Sequence, residues 1–256
     1  MKASSYLSKV IYTICSIVFL ILLWEIISVS MGEEQQILFP RVSVIFKEIG
    51  NIFTSGDWVK LLVTLGRTLL LILISFIICF VFGFIYIIFP QSYYFLKPIV
   101  NILKAAPFII ISIYIYYIFL GKKTDASVYI LGLLVVFPLM YEGFIQSIDG
   151  INNDIIDELS LLKVSKFRKF FQVYIPLIGS NIALTLLQSF GLGIKIVVMG
   201  EILFNIPNST GEAIRYGGGA VEQAPMLAWL VLIVILVCLV DLLVIIFNKK
   251  RVAKDN

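Results

Sequence analysis

Residues 149–176 read DGINNDIIDELSLLKVSKFRKFFQVYIP, the one long polar interruption between two strong apolar runs. The segment opens with acids (Asp149, Asp154, Asp157, Glu158) and closes with cations (Lys163, Lys166, Arg168, Lys169). Apolar positions 155, 156, 159 and 162 share one helical face. A second set, at 164, 167, 170, 171 and 174, follows a break near Lys163–Ser165. The pattern predicts two short amphipathic helices set at an angle, with the charge order that a helix dipole favours. Such paired apolar faces suit docking into a partner's groove. The alternative is a membrane-hugging loop that carries inner-side cations.

Working outward, apolar runs flank this segment at 127–148 and 177–204, and others lie at 10–30, 65–89, 99–120 and 225–247. A membrane helix needs about 20 mostly apolar residues, so the sequence predicts an all-α polytopic membrane protein with about six transmembrane helices. It forms a single membrane domain over 1–256, with 149–176 as a cytoplasmic loop. Composition agrees. Of 256 residues, 60% are hydrophobic and 14% charged, whereas soluble domains average about 25% charged. The mean hydropathy is +1.03. The first run follows Lys2 and Lys9 but is long, contains Trp24 and Glu25, and lacks a small-x-small cleavage site, so it reads as an uncleaved span. Lys and Arg are denser on the side shared by the N-terminus, Lys97, the 163–169 cluster and the 249–254 tail, which places both termini in the cytoplasm. The net charge of +4 suits basic inner loops and gives no sign of nucleic-acid binding.

Several chemistries are excluded. The chain has no histidine, which removes Ser-His-Asp and Cys-His machinery and imidazole metal sites. Cys15, Cys79 and Cys238 stand far apart inside apolar runs and support neither a disulfide framework nor a CxxC site. Residues 42–53, after Pro40, carry Val42, Ile45, Phe46, Ile49, Ile52 and Phe53 at helical spacing. They form a helix that either lies on the outer membrane face or packs on the chain's own spans. The stretch 205–225, with Gly211 and Gly217-Gly218-Gly219, reads as a flexible outer loop. It has no GK[ST], so it is not a phosphate cradle.

Asp157-Glu158-Leu159, Lys163, Val173 and Ile175-Pro176 fall without a gap on the form EAA-x3-G-x9-I-x-L-P. In this the sequence resembles the transmembrane permease subunits of bacterial ABC importers. Leu162-Lys163-Val164-Ser165-Lys166-Phe167 is similar to that family's L-G-A-S-R-W. The departures are Asp for Glu, no alanine pair, and Lys163 for glycine, which makes a left-handed turn less comfortable there. Further elements resemble the nitrate/sulfonate/taurine branch. They are Leu38-Phe39-Pro40-Arg41-Val42-Ser43-Val44 (LPSP-x-x-V), Thr64-Leu65-Gly66-Arg67-Thr68-Leu69 (T-L-x-R-T-L), the prolines at 98, 107 and 138, and Gly200-Glu201 followed by Gly211.

The resemblance implies a type I importer permease. In that family two permease subunits, identical or related, form the pathway. Two separate ABC ATPases use ATP and Mg, and an extracytoplasmic solute-binding protein delivers the solute. The loop would couple to the ATPase through Asp157, Glu158, Leu159, Leu161, Leu162, Lys163, Val164, Ser165 and Pro176. No cofactor is expected on this chain, which has no P-loop, and the expected location is a bacterial inner or plasma membrane. Charges inside spans cost about 2.5–3.5 kcal/mol on insertion scales, so each needs a reason. Glu25 and Glu142 lie near span ends, and Asp241 is read as structural. Lys195 and Glu201, six residues apart, point to different sides of a regular helix. Glu201 either pairs with another span or lines a gate. Gln188 and Ser189, with Gly191 and Gly193, suit close helix packing or pathway lining. The rival readings are an ion-gradient-coupled secondary transporter using Glu142, Glu201 or Asp241, and an intramembrane enzyme, for which no Ser-Lys or paired-Asp motif appears.

Overall fold

The computed structural model describes residues 2–119, 124–161, 165–219 and 223–252. The described residues are helical throughout apart from short turns: α1 Lys2–Ser30, α2 Glu33–Gln36, α3 Val42–Thr54, α4 Val59–Ile88, α5 Ser92–Ala105, α6 Phe108–Ile118, α7 Asp125–Asp149, α8 Asn153–Leu161, α9 Lys166–Lys169, α10 Ile175–Leu203, α11 Thr210–Gly219 and α12 Ala224–Val252. A π-helical turn, Phe170–Tyr174, joins α9 to α10. The chain divides into two compact units, Met1–Val59 with Ala213–Ile233, and Lys60–Glu212 with Val234–Asn256.

In the first unit, α1 grips the chain that leads into α3. The Trp24 indole N–H donates to Pro40 O at 3.0 Å and the Ser28 hydroxyl to Phe39 O at 2.8 Å. Trp24 stacks on Phe39, with ring centroids 3.9 Å apart. Glu25 Oε2 accepts the Val42 N–H at 2.9 Å, setting a carboxylate at the positive end of α3. Residues 24, 25 and 28 share one face of α1, so the acid near the end of the first span is a helix cap. Ile45 and Ile52, seven apart on α3, are buried, while Phe46 and Phe53 are exposed.

The second unit is built on α4, α7 and α10, whose interlocking core includes Leu71, Leu131, Phe144, Phe170 and Val197. Among the described residues, four helical stretches are long and apolar enough to cross a membrane: Ile11–Ser30, Val59–Ile88, Asp125–Asp149 and Lys166–Leu203. A fifth crossing is added if α5 and α6 count together. The third expected span, 99–120, is therefore not one helix. Its described residues fall mostly in α5 and α6, which are bent by 95° at their junction. Proline explains the break. Ala106, the residue before Pro107, is extended (φ −68°, ψ 129°), as a residue preceding proline prefers. Pro107 offers no N–H to carry the helix on. In the sixth expected span, 225–247, the apolar helical stretch is Ala224–Val240.

Two further expectations need correction. The second amphipathic helix of the 149–176 segment is not a separate piece, because the helix runs unbroken from Lys166 to Leu203. It passes through Pro176, where a regular helix would lose its bond to the carbonyl four residues back. The wider turn absorbs this: the Ile175 N–H bonds to Phe170 O, five residues back, immediately before the proline. The expected flexible loop at 205–225 contains α11. Ser209 starts it, its hydroxyl accepting the Glu212 N–H at 2.9 Å, and Glu212 Oε2 accepts the Asn208 N–H at 2.7 Å. This is close to the reciprocal Ser-x-x-Glu cap. Asn205 and Asn208 supply the positive φ values, 55° and 52°, that asparagine tolerates.

Candidate functional site

The 149–176 segment sits where α4, α7 and α10 end or begin. Tyr86 donates to Asp149 Oδ1 at 2.7 Å, and Lys166 Nζ donates to Ile88 O, the last residue of α4, at 2.7 Å. A lysine on the last carbonyls of a helix suits its negative end. Ser165 caps the long helix by accepting the Arg168 N–H at 3.4 Å. Phe170 is fully buried, with its ring 5.0 Å from both Phe80 and Phe84. These contacts tie the start of the long helix to the end of α4.

Against this anchored root, α8 presents charge outward. Asn152 Oδ1 accepts the Asp154 N–H at 3.0 Å and starts the helix. Asp154, Asp157 and Glu158 are exposed, while Ile156 and Leu159 are half-buried. Ser165 and Pro176 are exposed as well. Leu162, Lys163 and Val164 lie outside the described residues, as does the Leu161 side chain.

Glu201 lies at the other end of α10, about 39 Å along the axis from Ile175 at 1.5 Å per residue. Its side chain is fully buried. Thr64 donates to both carboxylate oxygens, at 3.0 and 2.9 Å. Arg67 Nη1 meets Oε1 at 2.9 Å, and the Gly211 N–H meets Oε2 at 3.1 Å. The second arm of the Arg67 fork pairs with Asp125 Oδ1 at 3.0 Å. The Thr210 N–H donates to Thr64 Oγ1 at 3.1 Å. One guanidinium thus bridges acids on α7 and α10, a geometry that a planar fork permits and an ammonium does not. The start of α11 adds backbone N–H groups on the carboxylate side. Gly211 is required here, because a Cβ would stand 2.7 Å from Ile202 N.

The other sequence candidates are dispersed. Lys195 is exposed and Glu201 buried, so the two do not meet. Gln188 is exposed, whereas its neighbour Ser189 is fully buried, with no hydrogen-bond partner for its hydroxyl among the described residues. Glu142 pairs with Lys104 Nζ at 2.6 Å. The Asp241 side chain lies outside the described residues. Arg67, Thr64 and Asp125 were absent from the sequence candidates, although a signal existed. Arg67 is the one charge in the run 65–89, and a buried cation in lipid demands an acid.

Comparison with known proteins follows from this geometry. The family model described as "Binding-protein-dependent transport system inner membrane component" matches residues 90–252, well over half the chain and including α8 and all of α10. No curated protein matches. A solved chain of the MetNI methionine ABC transporter, in inward-facing conformations (the CY5 native crystal form), is similar over 77% of this chain and 94% of that one. The identity is 19% and the TM-score 0.63, a likeness of fold. The chain belongs to the family of binding-protein-dependent transport system inner membrane components.

Proposed function

We propose that the chain is the permease subunit of an ATP-driven ABC importer, moving a small solute that an extracytoplasmic binding protein delivers. Two ABC ATPases would burn Mg-ATP in the cytoplasm. A second permease, a copy or a relative, would complete the pathway, and both termini would lie in the cytoplasm of a bacterial plasma membrane. The motifs at 38–44 and 64–69 support a nitrate/sulfonate/taurine-type branch. Selectivity would rest mostly with the binding protein.

The observation that carries this reading is α8, an exposed acidic helix between the end of α7 and the anchored start of the long helix, within the family-matched stretch. ATPase closure would push α8, and the anchored start of the long helix would pass that motion to the spans. The ion-coupled alternative loses support from the same geometry. Glu201 is locked by Arg67, Thr64 and Gly211, and Glu142 is paired with Lys104. Both carboxylates are engaged within the chain, while the side chain of Asp241, the third candidate, lies outside the described residues.

Inside-out and right-side-out vesicles holding the chain with the ABC ATPase that co-purifies with it test the proposal. Uptake should require ATP and persist when ion gradients are collapsed. Uptake that survives without any ATPase and stops with the gradient would refute it.

A further inference from the structure

Between α7 and α10, toward the end that carries α8, lies a groove of about 310 Å³ lined by Gly143, Gln146, Ser147, Asn181, Thr185 and Gln188, with Leu184 beside them. That volume is at the low end of the range for small-molecule sites, about 300–1,000 Å³. Its lining holds three carboxamides and two hydroxyls and no formal charge. Both hydroxyl protons are spent on the helices themselves: Ser147 donates to Gly143 O at 2.6 Å and Thr185 to Asn181 O at 3.1 Å. The hydroxyl oxygens therefore face the groove as acceptors only.

The carboxamides differ. The Gln146 and Gln188 side chains are exposed and make no hydrogen bond to the described residues. Each offers donors and an acceptor side by side. Both stand on helices long and apolar enough to cross a membrane, and lipid cannot satisfy such groups. Their hydrogen bonds are left to water or to a polar solute in the groove. Gly143 fixes the floor of the groove, since a Cβ there would stand 2.6 Å from Thr185 Oγ1. Charged groups flank the groove without lining it, among them Asp149, which stands three residues from Gln146 and accepts from the Tyr86 hydroxyl. Glu142 is neutralised by Lys104, and Lys195, on the same exposed face of α10, is seven residues from Gln188, about 10 Å along the axis.

We propose that this groove is a hydrogen-bonding subsite on the solute's route, taking a small polar molecule that is recognised by paired amide-like donors and acceptors and not by charge. The proposal rests on the transport reading above and names the chemistry that the permease itself would favour. Amides, ureides and nitrogen heterocycles have the matching donor–acceptor edges. A site built this way rejects a molecule that leaves its polar groups unpaired.

The test uses the full chain in proteoliposomes, with exposed Cys15 and Cys238 replaced by serine and buried Cys79 retained. Thr185→Cys and Gln188→Cys serve as separate reporters, so that misfolding of one leaves the other. The probes are three methanethiosulfonates of similar size: neutral hydroxyethyl, anionic sulfonatoethyl and cationic trimethylammonioethyl. Each rate is normalised to a free thiol. The neutral reagent should react about tenfold faster than either charged one, and adding Asn181→Asp should raise the cation-to-anion rate ratio about tenfold. Equal normalised rates, no labelling at either reporter, or a ratio unmoved by Asn181→Asp would overturn the proposal, the second because lipid or another copy then covers the groove. Labelling as expected with ATP-independent uptake would retire the importer reading and keep the groove. ATP-driven uptake without the labelling pattern would retire the groove alone.

Discussion

The clasp around Glu201 and the helix Asn153–Leu161 are both polar, stand at opposite ends of α10, and treat their charges in opposite ways. At the clasp a carboxylate with no exposed surface meets the one hydroxyl proton of Thr64, shared between its two oxygens, an arginine and a backbone N–H. Nothing is left over for a partner. On α8, three acids face solvent while the root of the segment is pinned by Tyr86, Lys166 and an aromatic cluster. The clasp holds α4, α7, α10 and the start of α11 together, whereas the acids of α8 stand at the surface. A buried polar group whose partners lie within the chain marks structure, whereas exposed charge stays accessible to a partner.

The largest break in this contrast comes from Arg67→Met. It strands Glu201 without its cation, and removing one partner of a buried pair costs about 3–5 kcal/mol. Unfolding in nanodiscs should show that loss. The double variant Arg67→Met/Glu201→Leu should lose less than Arg67→Met alone, because the stranded charge is gone. A double variant worse than the single would deny the clasp its pairing.

Next is Gly211→Ala, whose methyl runs into the backbone at Ile202. Overpacking of this kind costs about 1–3 kcal/mol, read in the same unfolding assay, and a neutral result would contradict the close approach. Ser165→Ala removes the cap of the long helix and should cost about 1 kcal/mol, seen as faster hydrogen exchange at residues 166–169 with 190–203 unchanged. The smallest effect on stability belongs to Asp157→Arg, expected within about 0.5 kcal/mol of the parent. The same variant should abolish coupling between ATP hydrolysis and uptake. If it unfolded the chain as Arg67→Met does, α8 would be part of the core and the contrast would fail.

Much of this was legible in the sequence, and the reasons differ by region. The long apolar runs announced α1, α4, α7 and α10 because lipid imposes length and composition together. The 95° bend at Pro107 was harder to read, since a proline inside an apolar run either kinks a helix or ends it. Pro176 shows the other outcome, absorbed by a single wide turn. Helix α11 was hidden by its glycines, although Ser209 and Glu212 already carried the spacing of a cap. Glu201 stood out as an intramembrane acid, but its partners did not. Thr64 and Arg67 come from a span more than 130 residues away, and only the fold brings them to it. The acids of α8 needed no fold to be noticed, because an exposed charged helix is written locally.

The most direct measurement places a photo-crosslinking amino acid at residue 157 of the full chain in native membranes and identifies by mass spectrometry what it captures. The account predicts an ABC ATPase subunit, with capture that changes when ATP is trapped. Capture of lipid alone, in membranes where the chain still supports ATP-driven uptake, would contradict it.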